Sequence, residues 1–549
     1  MMTPDGVFLR QNLPNEAMTK DSAASASPAA PNALLAGSAG NVWDALELQI
    51  MRQPESSAIQ SGGRSFSYAE FGSRVRAMAE TLKAQGVAAG DRVAVLSENR
   101  PEYLEVLFAC AKLGAIAACQ NWRLSAAELN HCLQLVSPKV LCCSARFELM
   151  ASTLCTGDAV HLRWPGDAKG PLMPVSTSSH AETPGGEAGL YILYTSGTTG
   201  LPKAALISHR AILARMASHI IDRPTSPQAA FVAWSPLFHM GATDFSLATL
   251  MRGGKVIVMD GFDADALAQL VVREEIGHLT IVPGVVERFL SAFKRLSQPA
   301  RKVQVVGVMA DLVPAAQIAE LTGLLGAPYC NTFGATETGA PPASRGLIPV
   351  GVAPTHLPKV QSSGCVIRLV DDNDNDVPAG EPGELLLRSA TLFSGYWGDQ
   401  AATEEVFRDG WYHMGDVFRR NADGTLDFVD RKKYLIKSGG ENIYPAEVEQ
   451  ALKRIRGIEE AVVVRQSDAR WGEVPVAVLV LSDASLSPAD ILQSCRESIA
   501  SYKLPRRLVF ASGAALPRNV SGKVERLRLE RFLSESSSEL SHLPENAFK

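Results

Sequence analysis

The sequence predicts an α/β protein: a large layered N-terminal domain with a β-subdomain, followed by a small mobile α+β C-terminal domain. Three observations carry the architecture. Short apolar, β-rich runs alternate with helix-period stretches over most of the 549 residues, the pattern of layered α/β folds. Between Val366 and Arg388 the pattern shifts to short β runs separated by Asp-Asp-Asn-Asp and Ala-Gly-Glu-Pro-Gly turns. After Arg431 a compact unit of strands and helices follows, in a chain too long for one ordinary core.

In chain order, residues 1–40 are rich in Ala, Ser, Pro and Asn and read as a disordered leader. Order is expected from Val42. Ser67-Tyr-Ala-Glu70 is a capping box that opens a helix to Leu82, and Gly86 stops it. Arg92–Leu96 reads as a strand and Pro101–Leu113 as an apolar helix. The stretch from Trp164 to Gly189, rich in Pro, Gly, Ser and Thr, reads as a surface connection. Leu190–Tyr194 reads as a buried strand, with further strands expected at Ala230–Trp234, Lys255–Met259, Leu279–Val282 and Val303–Val308. Beyond Arg431, strands are expected at Tyr434–Lys437, Ala461–Val464 and Val474–Leu481. One helix takes Pro445 in its first turn, and another is capped by Ser487 with Pro488 and Asp490 behind it. The expected division is 41–430 for the large domain, 431–532 for the small one, and 533–549 as a polar tail.

With 46% hydrophobic and 20% charged residues, the composition is that of a globular protein. The formal charge of -5 and the lack of a dense Lys/Arg block argue against a nucleic-acid partner. No run reaches the roughly 18 apolar residues of a spanning helix, so stable membrane insertion is not expected. The N-terminus lacks a basic region followed by an apolar stretch. Nine cysteines without Cys-x-x-Cys or Cys/His ligand spacing read as free thiols of a cytoplasmic protein.

The strongest chemical signal is Tyr194-Thr195-Ser196-Gly197-Thr198-Thr199-Gly200-Leu201-Pro202-Lys203. Glycines let backbone N–H groups converge on an oxyanion, while hydroxyls and an ammonium add donors for phosphate oxygens. The plain alternative is a polar hairpin loop. The Walker pattern is excluded, because Pro202 precedes Lys203 and no Ser or Thr follows it. In Asn331-Thr332-Phe333-Gly334-Ala335-Thr336-Glu337 an aromatic ring beside Gly offers a face to a purine. Thr and Glu there offer a phosphate donor and a hard oxygen ligand for Mg2+. Phe333 as a core residue and Glu337 as a surface charge are the bland readings.

These stretches closely resemble the adenylate-forming enzymes, the superfamily of acyl-CoA synthetases, luciferase and peptide-synthetase adenylation domains, and the resemblance runs from about Trp43 to about Arg531. It implies an ATP-dependent carboxylic acid–CoA ligase with ATP and coenzyme A as co-substrates and Mg2+ as cofactor; the small residues Gly241, Ala242 and Gly284 near the expected acyl pocket point to a fatty or aryl acid. The loop from Thr195 to Gly200, with Lys203, is then the phosphate loop. Asn331, Phe333, Gly334 and Ala335 form the adenine segment, with Thr336 at phosphate and Glu337 on Mg2+. Asp416, in Gly410-Trp-Tyr-His-Met-Gly-Asp416, resembles the residue that binds the ribose hydroxyls. Arg431 approaches ribose or phosphate, and Lys433 stands at the hinge. Gly439 and Gly440, in Ser438-Gly-Gly-Glu, line the approach of pantetheine. Lys523, in Leu516-Pro-Arg-Asn-Val-Ser-Gly-Lys523, is the mobile catalytic lysine.

His239, in Pro236-Leu-Phe-His-Met-Gly-Ala242, lines the acyl pocket where amino-acid-activating relatives carry Asp; a satisfied core histidine is its bland reading. Gly241, Ala242 and Gly284 leave room there. Three departures stand out: Ala204 for the usual Gly, Val308-Met-Ala-Asp311 for Gly-Gly-Ala-Pro, and Met414 for the common Thr. The competing readings are an enzyme loading a carrier protein, a luciferase-like oxygenase and a non-catalytic acyl-binding relative. A monomer or a homodimer fits either way.

Overall fold

Two mixed sheets and the helices between them build the large body. A computed structural model describes residues 40–164, 184–196, 201–438, 441–483, 485–518, 524–536 and 541–544. The expected leader at 1–40 therefore falls, but for its last residue, outside the described residues, as does most of the Trp164–Gly189 connection. From Gly40 onward the chain forms one unit by its contacts.

The first sheet has six strands in the order Val160–Trp164, Val140–Ser144, Arg92–Leu96, Ile116–Cys119, Gly189–Ser196 and Pro202–Ser208. All neighbours are parallel except the last pair, an antiparallel hairpin. The second sheet has eight, running from Leu347–Ile348 through Tyr329–Cys330, Lys302–Val306, Glu275–Leu279, Ala230–Ala233 and Val256–Val258 to Ser57–Ser61 and Arg64–Ser67. Parallel strands covered by helices are buried on both faces and read as continuous apolar runs, which is why Arg92–Leu96 and Val256–Val258 stand out in the sequence.

Helix boundaries follow local chemistry. In the helix Tyr68–Ala84, Ser67 N donates to Glu70 Oε2 at 2.7 Å and Glu70 N to Ser67 Oγ at 3.2 Å, which completes the expected capping box. Gly86 adopts φ +79, the conformation a helix stop needs. The helix Pro101–Leu113 begins on its proline and ends at Gly114, φ +70.

One strand lies elsewhere than expected. Of the segment expected at Leu279–Val282 only Leu279 is in a strand; the strand is Glu275–Leu279, and Pro283–Val285 forms a 3-10 turn. Gly277 and His278 hid it, because both interrupt an apolar run. Register against Lys302–Val306, with Ile276 opposite Val303, places it.

The β-subdomain pairs Cys365–Val370, Pro382–Ser389, Trp411–Arg420 and Leu426–Arg431 antiparallel. Its Leu385, Leu387 and Phe393 join the same core as Val93, Leu190 and Phe238. Beyond it, a 3-10 turn Lys432–Tyr434 leads to the strand Ile436–Ser438, two residues later than the strand expected at Tyr434–Lys437. Ile458–Asp468 and Gly472–Leu481 pair antiparallel, with Arg507–Phe510 added in parallel. Successive residues of these strands point to opposite faces: Val463 and Ala477 pack in one cluster, Val462, Val464 and Val478 in another. Both faces are covered, which explains the unbroken run Val474–Leu481.

Part of the expected polar tail, 533–549, packs against the small domain among the described residues. The helix Arg526–Glu535 runs past residue 532, and Leu543 is buried against the strand Arg507–Phe510, donating from its N to Phe510 O at 2.8 Å. An apolar side chain two positions from polar neighbours was too weak a signal to reveal this.

Candidate functional site

The hairpin Gly189–Ser196/Pro202–Ser208 places Thr195 opposite Lys203 and Ser196 opposite Pro202. Gly197, Thr198, Thr199 and Gly200 connect these strands and lie outside the described residues. Lys203 Nζ sits 5.0 Å above the ring of Tyr396. Tyr396 is held there because its segment pairs with the hairpin's outer strand: Leu206 N donates to Gly395 O at 3.0 Å and Trp397 N to Ala204 O at 2.7 Å. Ala204 itself is buried with Ile116, Ala118, Val136 and Ile192, so the methyl group that departs from the family pattern fills core space.

The Tyr396 hydroxyl donates to Glu337 Oε1 at 2.9 Å. One ring thus bridges the lysine of the first motif and the carboxylate of the second. Glu337 is buried and follows a turn that demands glycine, since a Cβ on Gly334 would lie 2.1 Å from Gly339 O. Thr336 O accepts from Arg215 Nη2 at 2.9 Å. Arg215 also donates to Thr391 O at 3.0 Å and pairs with Asp244 at 3.0 Å. Tyr191 OH donates to the other oxygen of Asp244. Phe333 packs against Phe418, centroids 4.7 Å apart, and against Phe428 at 5.3 Å, and Ser344 Oγ accepts from its backbone N.

Asp416 and Arg431 are cross-strand neighbours in the β-subdomain. Their Nε–Oδ1 distance is 3.1 Å, yet the alignment makes no hydrogen bond, and Asp416 Oδ1 is buried without a hydrogen-bond partner. Burial pushes the Asp416 carboxyl up to about 6; Arg431 opposes this and the Glu337 charge adds to it. A buried carboxylate oxygen lacking a donor suits a ligand that brings hydroxyl hydrogens. Lys433 lies in the 3-10 turn beside it; burial and Arg431 pull its ammonium down, and Asp416 works against them. Met414 packs against the main core, so an apolar side chain there has its own contacts.

His239 caps the helix Met240–Arg252 from outside, without a side-chain capping bond. Its ring lies 4.6 Å from that of Phe238, and Phe238 packs edge-on against Trp122 at 5.9 Å. Burial, then Arg123, lower its pKa to about 4, so the imidazole is neutral at neutral pH. A Cβ on Gly241 or Gly284 would meet nothing within 4 Å.

Gly439, Gly440 and Lys523 fall outside the described residues; Arg518 and Val524, on either side of 519–523, form an antiparallel bridge. Sequence reasoning missed Tyr396, Arg215 and Asp244, and also Lys359, whose buried ammonium donates to Asp311 Oδ2 and Asn331 Oδ1. None sits in a motif, and each acts through a partner more than 25 residues away, so no local pattern marks them.

Residues 46–397 match the AMP-binding enzyme family, and residues 447–523 match the AMP-binding enzyme C-terminal domain. The chain belongs to the AMP-binding enzyme family. The indoleacetate–CoA ligase of Aromatoleum aromaticum is 35% identical over 86% of this AMP-binding enzyme and 94% of its own length. A feruloyl-CoA synthase from an Amycolatopsis species is 34% identical over the same shares. The solved fatty acyl CoA synthetase of Mycobacterium tuberculosis superposes with a TM-score of 0.74 at 26% identity, over 90% of this chain and 98% of that one. The expected layered α/β architecture with a small C-terminal domain is borne out. No helix among the described residues is long and apolar enough to cross a membrane.

Proposed function

We propose that this AMP-binding enzyme is an ATP-dependent carboxylic acid–CoA ligase acting on a fatty or aryl acid. The observation that carries the reading is the convergence of Lys203, Glu337 and Asp416: Tyr396 joins the first two, and the Glu337 charge reaches the third. Their closeness supports reading them as the phosphate, metal and ribose groups of one site. The two acid–CoA ligases above support the aryl part of this reading, since indoleacetate and ferulate are both aryl-bearing acids.

In the first half-reaction a carboxylate oxygen of the acid attacks the α-phosphorus of ATP, and pyrophosphate leaves. Positioning and charge neutralisation do this work, and no protein nucleophile takes part. Lys203 and the hydroxyls of Thr195–Thr199 hold phosphate oxygens, Thr336 adds a donor, and Lys523 bridges the two reacting oxyanions. Asn331, Phe333, Gly334 and Ala335 form the nucleobase wall, and Asp416 with Arg431 holds the ribose. Glu337 would hold Mg2+, which screens the triphosphate charge; a single protein carboxylate suits an ion that takes its other ligands from phosphate and water. In the second half-reaction the thiolate of coenzyme A attacks the acyl carbon and AMP leaves. The small domain, about 431–532, turns about Lys433 between the two steps and brings Gly439 and Gly440 to the pantetheine. The protein acts in the cytoplasm as a monomer or a homodimer.

The test is pyrophosphate release from ATP with a panel of short, medium-chain and aromatic acids, with and without coenzyme A. Acid-dependent release and a coenzyme A-dependent thioester product are expected; release that yields thioester only on a carrier protein would reject the ligase reading. In the same panel His239→Ala is expected to reorder the acids by kcat/KM while the KM for ATP holds. A lowered melting temperature with an unchanged ranking would make His239 a core residue.

Asp416 sets a pH dependence. Its raised pKa keeps a proton on the carboxyl below about pH 6, and only the ionised form accepts both ribose hydroxyls. The kcat/KM for ATP is therefore expected to rise up to tenfold per pH unit below about 6 and to level off above it. Asp416→Asn should remove that bend and raise the KM for ATP by roughly 10- to 100-fold, the worth of a charge-assisted hydrogen bond. A bend that persists in the variant assigns the titration to another group.

A further inference from the structure

Lys203 and His239 stand on different sheets. Lys203 belongs to the strand Pro202–Ser208 of the six-stranded sheet, whereas His239 follows the strand Ala230–Ala233 of the eight-stranded one. Among the described residues no strand pairing joins the two sheets. The side chain of Asn99 does join them. Asn99 lies just past the carboxyl end of Arg92–Leu96, in the sheet of Lys203, and reaches across to the loop that leads to His239. Asn99 Nδ2 donates to Ala233 O at 3.0 Å and to Ser235 O at 2.7 Å, and Leu237 N donates to Asn99 Oδ1 at 2.8 Å.

Asn99 is buried, and both protons and the oxygen of its amide are engaged by backbone groups of one short loop. A primary amide supplies two donors and an acceptor on one planar group; a carboxylate of the same shape would set its charge against two carbonyl oxygens. The hold extends to His239 along the chain. Leu237 O accepts from Thr243 Oγ1, and His239 N donates to Pro236 O at 2.9 Å. His239 O accepts from Ala242 N at 3.1 Å and from Thr243 N at 3.2 Å, at the start of the helix Met240–Arg252. The loop Ser235–His239 is therefore fixed at one end by the other sheet and at the other end by its own helix.

We propose that Asn99 is a positioning residue: by tying the loop Ser235–Leu237 to the other sheet, it holds Phe238 and His239 in register with the phosphate loop at Lys203. This rests on the reading of His239 as a wall of the acyl pocket and of Lys203 as a phosphate ligand. The first half-reaction needs the acid carboxylate close to the α-phosphorus and in line with it, and a misplacement of about 1 Å can cost about 100-fold in rate. The acid is placed by one sheet and the phosphates by the other, so their spacing depends on what bridges the sheets. Asn99 acts on the acid only through the loop that it holds.

Asn99→Asp keeps the shape and the acceptor for Leu237 N but loses both donors, and Asn99→Ala loses all three bonds. Pyrophosphate release is read with short, medium-chain and aromatic acids. Both variants are expected to lower kcat with the best acid by roughly 10- to 100-fold and to reorder the acids by kcat/KM, with the KM for ATP within about twofold of wild type. Tyr68→Phe controls for stability alone, because Tyr68 OH donates to Gly254 O at 2.7 Å, beyond the far end of the helix Met240–Arg252. It should lower the melting temperature and leave the ranking of acids as it is. Folded Asn99→Asp with the kcat and the ranking of wild type overturns the proposal. The same reordering in Tyr68→Phe overturns it too, since lost stability would then explain both. If His239→Ala leaves the ranking unchanged, the pocket reading fails and the proposal with it. Wild-type protein that releases no pyrophosphate with any acid in the panel refutes the ligase reading instead.

Discussion

Lys523→Ala is expected to leave a folded protein that binds ATP yet releases pyrophosphate about 100- to 1000-fold more slowly, the range for removing one donor aimed at developing charge. Two oxyanions meet as the acid carboxylate approaches the α-phosphate, and a lysine bridging them neutralises charge at that moment only. Its loss therefore falls on kcat of the first half-reaction rather than on ATP affinity. Thioester formation from supplied acyl-adenylate and coenzyme A should be nearly unaffected, because the anhydride is already made. Measuring both half-reactions on the same preparation, with a melting curve to establish folding, decides the matter. Equal losses in the two would assign Lys523 a general structural role.

The largest expected effect on stability is that of Arg215→Met. Arg215 is almost wholly buried and its guanidinium serves three acceptors: Asp244, Thr391 O and Thr336 O. Removing it strands a nearly buried carboxylate and two backbone carbonyls, and breaking such a pair from one side costs about 3–5 kcal/mol. The urea midpoint is expected to fall accordingly. The change also loosens the turn that carries Thr336 and Glu337, because a Cβ at Gly339 would lie within 2.8 Å of Arg215 and the backbone there is fitted to that side chain. ATP should consequently bind more weakly in whatever folded protein remains. Arg215→Lys keeps the charge but cannot reach three acceptors at once, so it should recover part of the stability and less of the ATP affinity. An unchanged midpoint for Arg215→Met would mean that water replaces the guanidinium at all three acceptors.

Much of the architecture is legible locally, and the failures come from partners distant in sequence. The capping box at Ser67–Glu70, the strand Arg92–Leu96, the helix Pro101–Leu113 and the Ser487 cap occur where periodicity and caps place them. The strand Glu275–Leu279 was displaced because Gly277 and His278 are poor strand formers that tolerate the site only between two parallel neighbours. His542 and Leu543 looked like tail because their docking depends on a partner strand more than 30 residues earlier.

The same division applies to the candidate site. Lys203, Glu337 and Asp416 announce themselves by residue type within short motifs, because phosphate, metal and hydroxyl ligands need particular donors at fixed spacing, and that requirement is written along the chain. The sequence alone thus determined the layered α/β class, the three segments read as nucleotide-binding and the likeness to adenylate-forming enzymes. Only the tertiary structure decided that Tyr396 joins Lys203 to Glu337, that Arg215 and Asp244 anchor the Thr336 turn, and that the unusual Asp311 answers a buried Lys359. A buried charge or a shared ring is fixed by what packs against it, and those neighbours lie 28 to 193 residues away in sequence for Lys359–Asn331 and Lys203–Tyr396, where no local pattern reaches.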